Sequence, residues 1–135
     1  MSEPLGVLVV DDDFMVARIH AGFVDRTPGF RTVGQAHSAA EALDLAAGLA
    51  PDLILLDAYS EKGRGGTGQR FDWPLAKSLK GRGNIVVSGG LAPENVREAV
   101  DFFEPYGVDA SSSLEDAPGK KNEDSVRRFI VAAKG

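Results

Sequence analysis

Carboxylates are the first residues in this chain whose type and spacing could do chemistry. Asp11, Asp12 and Asp13 directly follow an apolar run at 7–10, and Asp57 ends a second apolar run at 53–56. If both runs are neighbouring strands of a parallel sheet, their carboxyl ends meet at the same edge. Converging carboxylates repel one another, and a hard cation with oxygen ligands relieves that repulsion. We therefore expect Asp11, Asp12 and Asp57 to bind Mg²⁺ weakly, and we expect no cofactor that the chain requires.

Serines and glycines in two later segments form the second group. Glycine lets backbone amides approach an anion closely, and a helix that begins near Pro93 would point its positive end nearby. The expected ligand is phosphate or a phosphorylated small molecule, bound weakly because the neighbouring carboxylates repel an anion. The predicted phosphate-binding residues are Ser88, Gly89, Gly90, Ser111, Ser112 and Ser113.

Residue types that are missing exclude other chemistry. The chain has no cysteine, which excludes disulfides, thiolate metal sites and cysteine nucleophiles. His20 and His37 lack the spacing of a transition-metal site. The net charge is −5 without a basic patch, so we expect no nucleic-acid partner. No apolar run approaches the roughly 18 residues of a membrane span, so we expect a soluble, cytoplasmic protein without a membrane partner.

The elements that must position these residues follow from hydrophobic periodicity. Apolar runs at 7–10, 32–36, 53–56, 85–87 and 108–110 alternate with amphipathic stretches. Strands that alternate with helices form a parallel sheet with right-handed crossovers. A closed eight-unit barrel typically needs about 250 residues, and this chain has 135. The sequence therefore predicts an α/β fold: a flavodoxin-like, doubly wound, five-stranded parallel sheet of order 2-1-3-4-5, or (βα)5.

Two helices have further sequence signals. Val16, Ile19 and Phe23 recur on one face of the stretch 14–24, which predicts that this face of the first helix is buried. Ser38 with Glu41 three residues later is a capping box, which predicts that the second helix begins there.

The motifs of residues 5–57 occur in a recognisable order: an apolar run with three aspartates, then 34–36 and 40–43, and then an apolar run that ends at Asp57. This part resembles the first half of a response-regulator receiver domain of the citrate/malate type. The resemblance implies that Asp57 is a phosphoacceptor and that Asp11 and Asp12 help to hold Mg²⁺. The lysine that receivers carry at the end of the fifth strand has no match, because Ala110 and Ser111 stand there.

The second part of the chain resembles a different family, and four blocks carry this resemblance: 55–58, 65–73, 88–96 and 106–121. They resemble the last three strand–helix units of phosphoribosylanthranilate isomerase, a barrel enzyme of tryptophan synthesis. The resemblance implies that Asp57 is a general acid and that Gly89, Gly90, Ser111 and Ser112 belong to phosphate-binding loops. The cysteine base of that family has no counterpart here, so we expect no isomerase activity and conclude that the chain is not an enzyme.

Both patterns share the strand that ends at Asp57. Residues 1–57 carry nine acidic and three basic residues, whereas residues 58–135 carry eleven and twelve. We interpret the chain as an engineered chimera with one flavodoxin-like domain, 1–135, in which 1–57 derives from a receiver and 58–135 from the isomerase barrel. We predict a monomeric, designed scaffold without native catalytic activity that retains weak phosphate or phosphoribosyl-ligand binding.

Two other functions stay open at this point. One is a receiver domain that binds Mg²⁺ and is phosphorylated on Asp57. The other is an enzyme that needs a partner fragment to complete a barrel.

Overall fold

A five-stranded parallel sheet organises the protein. The computed structural model describes residues 3–58 and 72–135, and the glycine-rich part of the block 65–73 lies outside them. The sheet order is β2-β1-β3-β4-β5, which confirms the predicted fold class and strand order. The strands are β1 (Leu5–Val10), β2 (Phe30–Ala36), β3 (Leu53–Asp57), β4 (Asn84–Ser88) and β5 (Gly107–Val108).

In the described part of the chain, five helices accompany these strands: α1 (Phe14–Asp25), α2 (Ala39–Leu49), α3 (Trp73–Lys77), α4 (Val96–Phe103) and α5 (Glu123–Lys134). The predicted capping box at the start of α2 is confirmed. Ser38 Oγ accepts a hydrogen bond from the Glu41 amide at 3.1 Å, and Glu41 Oε1 accepts one from the His37 amide at 2.8 Å. None of the helices in the described part of the chain is long and apolar enough to cross a membrane.

The core consists of two hydrophobic clusters on opposite faces of the sheet. Alternate residues of one strand point to opposite faces, so Leu8 and Val10 join the larger cluster and Val7 and Val9 join the smaller one. Helices α2 to α5 all contribute to the larger cluster, in which Phe103 of α4 is fully buried. Among the described residues, α1 is the one helix whose side chains form part of the smaller cluster.

Helix α1 buries a different face from the one that its sequence predicts. Ala17 and Ala21 are buried, whereas Ile19 is 50% exposed and Phe23 is 58% exposed. The prediction that Ile19 and Phe23 face the core is therefore wrong. The small alanine side chains let α1 lie close to Val7 and Val9, and no second described helix covers its outer side.

The segment after β5 forms a hairpin that the sequence did not predict. A short 3₁₀ turn (Ser112–Leu114) leads into β6 (Glu115–Ala117), which pairs antiparallel with β7 (Lys120–Lys121). Strand β5 is also shorter than the predicted run at 108–110 and ends at Val108. The Asp109 amide still donates to the Val87 carbonyl of β4 at 2.9 Å, and the residues after it start a loop at the carboxyl edge of the sheet.

Candidate functional site

The strand register aligns the candidate residues along the carboxyl edge of the sheet. Val10 of β1 pairs with Leu56 of β3. Asp11 and Asp57 are the next residues along the two chains, so they lie side by side at the same edge of the sheet. Asp57 in turn pairs with Ser88 at the end of β4. All three of these side chains are buried, with Asp11 1%, Asp57 9% and Ser88 3% exposed. The sheet therefore presents a polar, largely enclosed edge that spans β1, β3 and β4.

Asp57 lies against the loop that follows β4. A Cβ atom built on Gly89 would stand 1.6 Å from Asp57 Oδ1, and Gly89 has a φ of +83°. A side chain at position 89 would therefore collide with the carboxylate and would also impose a backbone conformation that L residues rarely adopt. Glycine at this position is what allows the Asp57 carboxylate and the loop backbone to be neighbours.

Asn95 holds the loop between β4 and α4 in shape. Its Oδ1 accepts a hydrogen bond from the Ala92 amide at 2.8 Å, and its Nδ2 donates to the Gly90 carbonyl at 3.0 Å. Gly90 also has a positive φ, +72°. The two consecutive left-handed glycines and the Asn95 side chain together define the path of the backbone before α4.

A hydrogen bond joins this loop to the one that follows β5. Ser113 Oγ donates to the Leu91 carbonyl, and Leu91 itself is 1% exposed. The loops at 89–95 and 109–114 are therefore connected directly, at the place where the sequence predicts a shared phosphate site. The Ser113 hydroxyl serves this connection, so it has a structural partner in addition to its predicted role.

The serines of the predicted phosphate site occupy different environments. Ser111, Ser112 and Ser113 are all exposed at the start of the 3₁₀ turn. The Ser88 hydroxyl is buried and donates to the Leu56 carbonyl over a long 3.4 Å. Ser88 thus lies below the surface on which the other predicted phosphate-binding residues are placed.

Backbone amides in these loops are available to an anion. Among the residues that the structure describes, the amides of Gly89, Gly90 and Ser111 donate no backbone hydrogen bond. Gly89 is half-buried, whereas Gly90 and Ser111 are exposed, and N–H groups that line a turn are suited to bind phosphate oxygens. The arrangement can therefore hold a phosphate through the main chain, with no need for serine hydroxyls.

The three carboxylates of the predicted metal site are not gathered into one group. Asp11 Oδ1 accepts a hydrogen bond from the Asp13 amide at 2.9 Å, and its buried Oδ2 has no hydrogen-bond partner. Asp12 is exposed, and Asp13 caps α1 through the amides of Met15 and Val16. Within 3–58 and 72–135, no three His, Cys, Asp or Glu side chains form a group that could hold a metal ion. The donor chemistry suits Mg²⁺, but the structure does not assemble Asp11, Asp12 and Asp57 as a ligand set, and Mg²⁺ binding stays a prediction.

Lys121 is the functional candidate that sequence reasoning missed. Its ammonium donates to the Ser111 carbonyl at 3.2 Å and to Glu115 Oε2 at 2.7 Å. The hydrogen bond from Lys121 is the main reason that the pKa of Glu115 lies below its ordinary value. The hairpin returns this lysine to the end of β5, where the linear sequence shows none. The Pro118–Gly119 turn between β6 and β7 was the available signal.

Known proteins match this chain in two ways. The family model described as N-(5'phosphoribosyl)anthranilate (PRA) isomerase matches residues 25–132. The N-(5'-phosphoribosyl)anthranilate isomerase of Rubrobacter xylanophilus is 68% identical over 83 residues, covering 62% of this chain and 40% of the relative. The enzyme of the same name from Citrifermentans bemidjiense is 50% identical over 95 residues, covering 70% and 46%.

Solved structures of a different class of protein also match this chain in three dimensions. The signal receiver domain of the response regulator NarL from Mycobacterium tuberculosis matches with a TM-score of 0.64 and 19% identity, covering 99% of each chain. At that identity the match shows the fold alone, and it agrees with the observed sheet order.

These matches overturn the predicted function. We predicted a scaffold without catalytic activity and concluded that the chain is not an enzyme; both statements are wrong, because curated relatives at 68% and 50% identity are named as an isomerase, which is an enzyme. The error came from treating one missing cysteine as decisive. A missing proton acceptor says nothing about the proton donor or the phosphate-binding loops, which are other parts of such a site. The chain spans about 40% of the length of the first of these relatives.

Proposed function

This chain belongs to the N-(5'-phosphoribosyl)anthranilate isomerase family, and we propose that it binds the phosphoribosyl substrate of that family and donates a proton to it from Asp57. The observation that carries the proposal is the close contact between the Asp57 carboxyl and Gly89. That contact puts a candidate proton donor beside the loop whose amides can bind a phosphate.

The phosphate end of the ligand is proposed to lie on the amides of Gly89, Gly90 and Ser111. These amides belong to two loops that the Ser113–Leu91 hydrogen bond holds together, so they are positioned before the ligand arrives. Preorganised donors lose little entropy when they bind an anion. While it is ionised, Asp57 opposes the binding through its negative charge, and because salt screens this repulsion, we expect the opposition to weaken as the salt concentration rises.

The proton-donating role is proposed for Asp57 because of its position. An isomerisation moves a proton within the substrate, so one group must donate a proton and another must accept one. Asp57 is largely buried at the end of β3, next to the phosphate loop, which is where a proton donor would reach a sugar held by its phosphate. The chain has no cysteine to supply a thiolate, so in this proposal water accepts the proton that leaves the substrate, and Asp57 is reprotonated from solvent.

The two kinds of similarity also bear on the origin of the chain. We infer that residues 1–57 derive from a receiver domain and residues 58–135 from the isomerase. The change in charge balance at Asp57 and the 83-residue match at 68% identity support this origin. The isomerase family model begins its match at residue 25, so the exact position of the junction rests on the charge balance and the motifs.

The proposal is tested with the full chain, the Asp57→Asn variant and an Asp44→Asn control, since Asp44 is exposed on α2. Binding of a stable phosphoribosyl product analogue is measured by calorimetry, and consumption of N-(5'-phosphoribosyl)anthranilate is followed by chromatography. We expect Asp57→Asn to keep binding and to lose about 10²- to 10⁴-fold in turnover, the usual contribution of a general acid. Absence of binding and turnover in the unmodified chain, or equal turnover in both variants, would contradict the proposal.

A further inference from the structure

We propose that Lys121 supplies the positive charge of the phosphate site and that Glu115 competes with the ligand for it. This inference rests on the proposed function, because it concerns the phosphate-binding loops of the same site. It assigns an electrostatic role to a residue that lies on the β6–β7 hairpin, outside both loops.

The position of the ammonium is the first argument. Lys121 Nζ lies 3.2 Å from the carbonyl oxygen of Ser111. The ammonium is therefore beside a residue whose own amide is proposed to bind phosphate. The side chain is 49% exposed, which leaves it accessible to a ligand from solvent. An ammonium has three N–H donors, and the Ser111 carbonyl and Glu115 use two of them. The third remains for an oxygen of an incoming anion.

The hairpin gives the lysine a defined location, which is the second argument. Glu115 pairs with Lys121 across the antiparallel ladder, and the Asn122 amide donates to the Leu114 carbonyl at 2.7 Å. The Asn122 side chain also bonds Asp116 and caps α5 at the Ser125 amide. The backbone on both sides of Lys121 is therefore held by the 3₁₀ turn, the hairpin and the helix that follows.

The charge of the surroundings is the third argument. Asp57 lies against Gly89, and Asp109 is exposed at the end of β5, so an anion in this place meets two carboxyl groups, and each repels it while ionised. A cation beside Ser111 offsets their repulsion. Glu115 forms an ion pair with Lys121 at 2.7 Å, so an incoming phosphate must share the ammonium with this carboxylate or displace it.

Lys120 provides a matched control for the test. It is the adjacent residue, it is exposed, and it pairs with Ala117 on the same hairpin. Neighbouring strand residues point to opposite faces, so Lys120 is directed away from the side on which Lys121 lies. Lys121→Gln and Lys120→Gln remove the same charge from the same segment, and any difference between them reports the local position of Lys121.

The experiment is a titration of the full chain with inorganic phosphate at constant ionic strength. It is followed by the amide NMR shifts of Gly89, Gly90 and Ser111. We expect Lys121→Gln to weaken binding by about twofold to fivefold, the range for one partly exposed charge pair. We expect Lys120→Gln to have little effect and Lys121→Arg to retain most of the affinity. Glu115→Gln should have the opposite effect and tighten phosphate binding, because it removes the competing carboxylate.

The outcomes separate the two proposals. If the unmodified chain shows no phosphate-dependent shifts, the proposed function fails at its phosphate site. If the unmodified chain binds, but the two glutamine variants of the lysines lose equal affinity or Glu115→Gln does not tighten binding, then the role of Lys121 is wrong and the phosphate site stands. Glu115→Gln leaves Lys121 in place, so it keeps the inference testable even if Lys121→Gln disturbs the hairpin.

Discussion

The carboxylate of Asp57 and the Cα of Gly89 are in such close contact that no side chain can be placed between them. This relationship joins the end of β3 to the loop after β4, and through that loop to α4. It makes Gly89 a position at which conformation and packing both require glycine.

Gly89→Ala should therefore destabilise the protein by about 3 kcal/mol or more, because a left-handed L residue costs roughly 1–2 kcal/mol and the collision with Asp57 adds to it. Gly119→Ala is the matched control, since Gly119 has a similar φ of +80° with no atom within 4 Å of the added Cβ. The free energy of unfolding is measured by urea denaturation. Equal losses in the two variants would show that the collision is relieved at no cost.

Ser113→Ala should cost about 1 kcal/mol, because it removes the hydrogen bond to the Leu91 carbonyl that joins the two loops. The same variant should weaken phosphate binding, since the amides of the two loops would no longer be held in one arrangement. Ser112→Ala is the comparison for stability, with an expected change within about 0.5 kcal/mol for an exposed side chain. Urea denaturation measures both variants, and a Ser113→Ala protein as stable as Ser112→Ala would contradict the role of the bond.

The acid sensitivity of the hairpin should depend on Lys121. The hydrogen bond from Lys121 lowers the pKa of Glu115, so the folded state binds that proton less readily than the unfolded state does. The stability from this pair is then fully present above the ordinary glutamate pKa of 4.5 and is lost as the pH falls below it. NMR titration of the glutamate side chains should show the pKa of Glu115 rise towards its ordinary value in Lys121→Gln. If the pKa of Glu115 is the same in Lys121→Gln as in the unmodified chain, Lys121 does not stabilise the Glu115 carboxylate.

Helix α1 should tolerate polar residues where its sequence looks hydrophobic. Ile19→Gln should change the free energy of unfolding by no more than about 0.5 kcal/mol, because Ile19 is half exposed. Ala17→Leu should destabilise by about 1–3 kcal/mol, because Ala17 is fully buried against the sheet and a larger side chain overpacks it. Urea denaturation of both variants measures the difference, and a larger loss for Ile19→Gln would mean that the opposite face is buried.

Much of the fold could be predicted because its signals are local. The apolar run at 7–10 is buried on both faces of β1, as a central parallel strand requires, and Ser38 with Glu41 starts α2 where the capping box indicates. The prediction that Asp57 lies at the carboxyl edge of the sheet needed only the strand order, and the register pairs it directly with Ser88. These features depend on a few consecutive residues and on a topology that the alternation of strands and helices already implies.

The functional conclusion from sequence was less secure, for a physical reason. The absence of cysteine excludes a thiolate, but it does not exclude a proton donor or a phosphate site, and the expectation of an inactive scaffold went beyond what that absence supports. The matches to isomerases at 68% and 50% identity corrected it.

By itself, the sequence determined the α/β class, the order of the strands and the edge at which polar residues gather, because each follows from local periodicity and chain connectivity. Only the tertiary structure decided which face of α1 is buried, since that depends on which other helices share its side of the sheet. It also decided where Lys121 lies, because a hairpin returns the chain to Ser111 across ten residues. Contacts of this kind arise from the path of the backbone in space, and no pattern of neighbouring residues specifies that path.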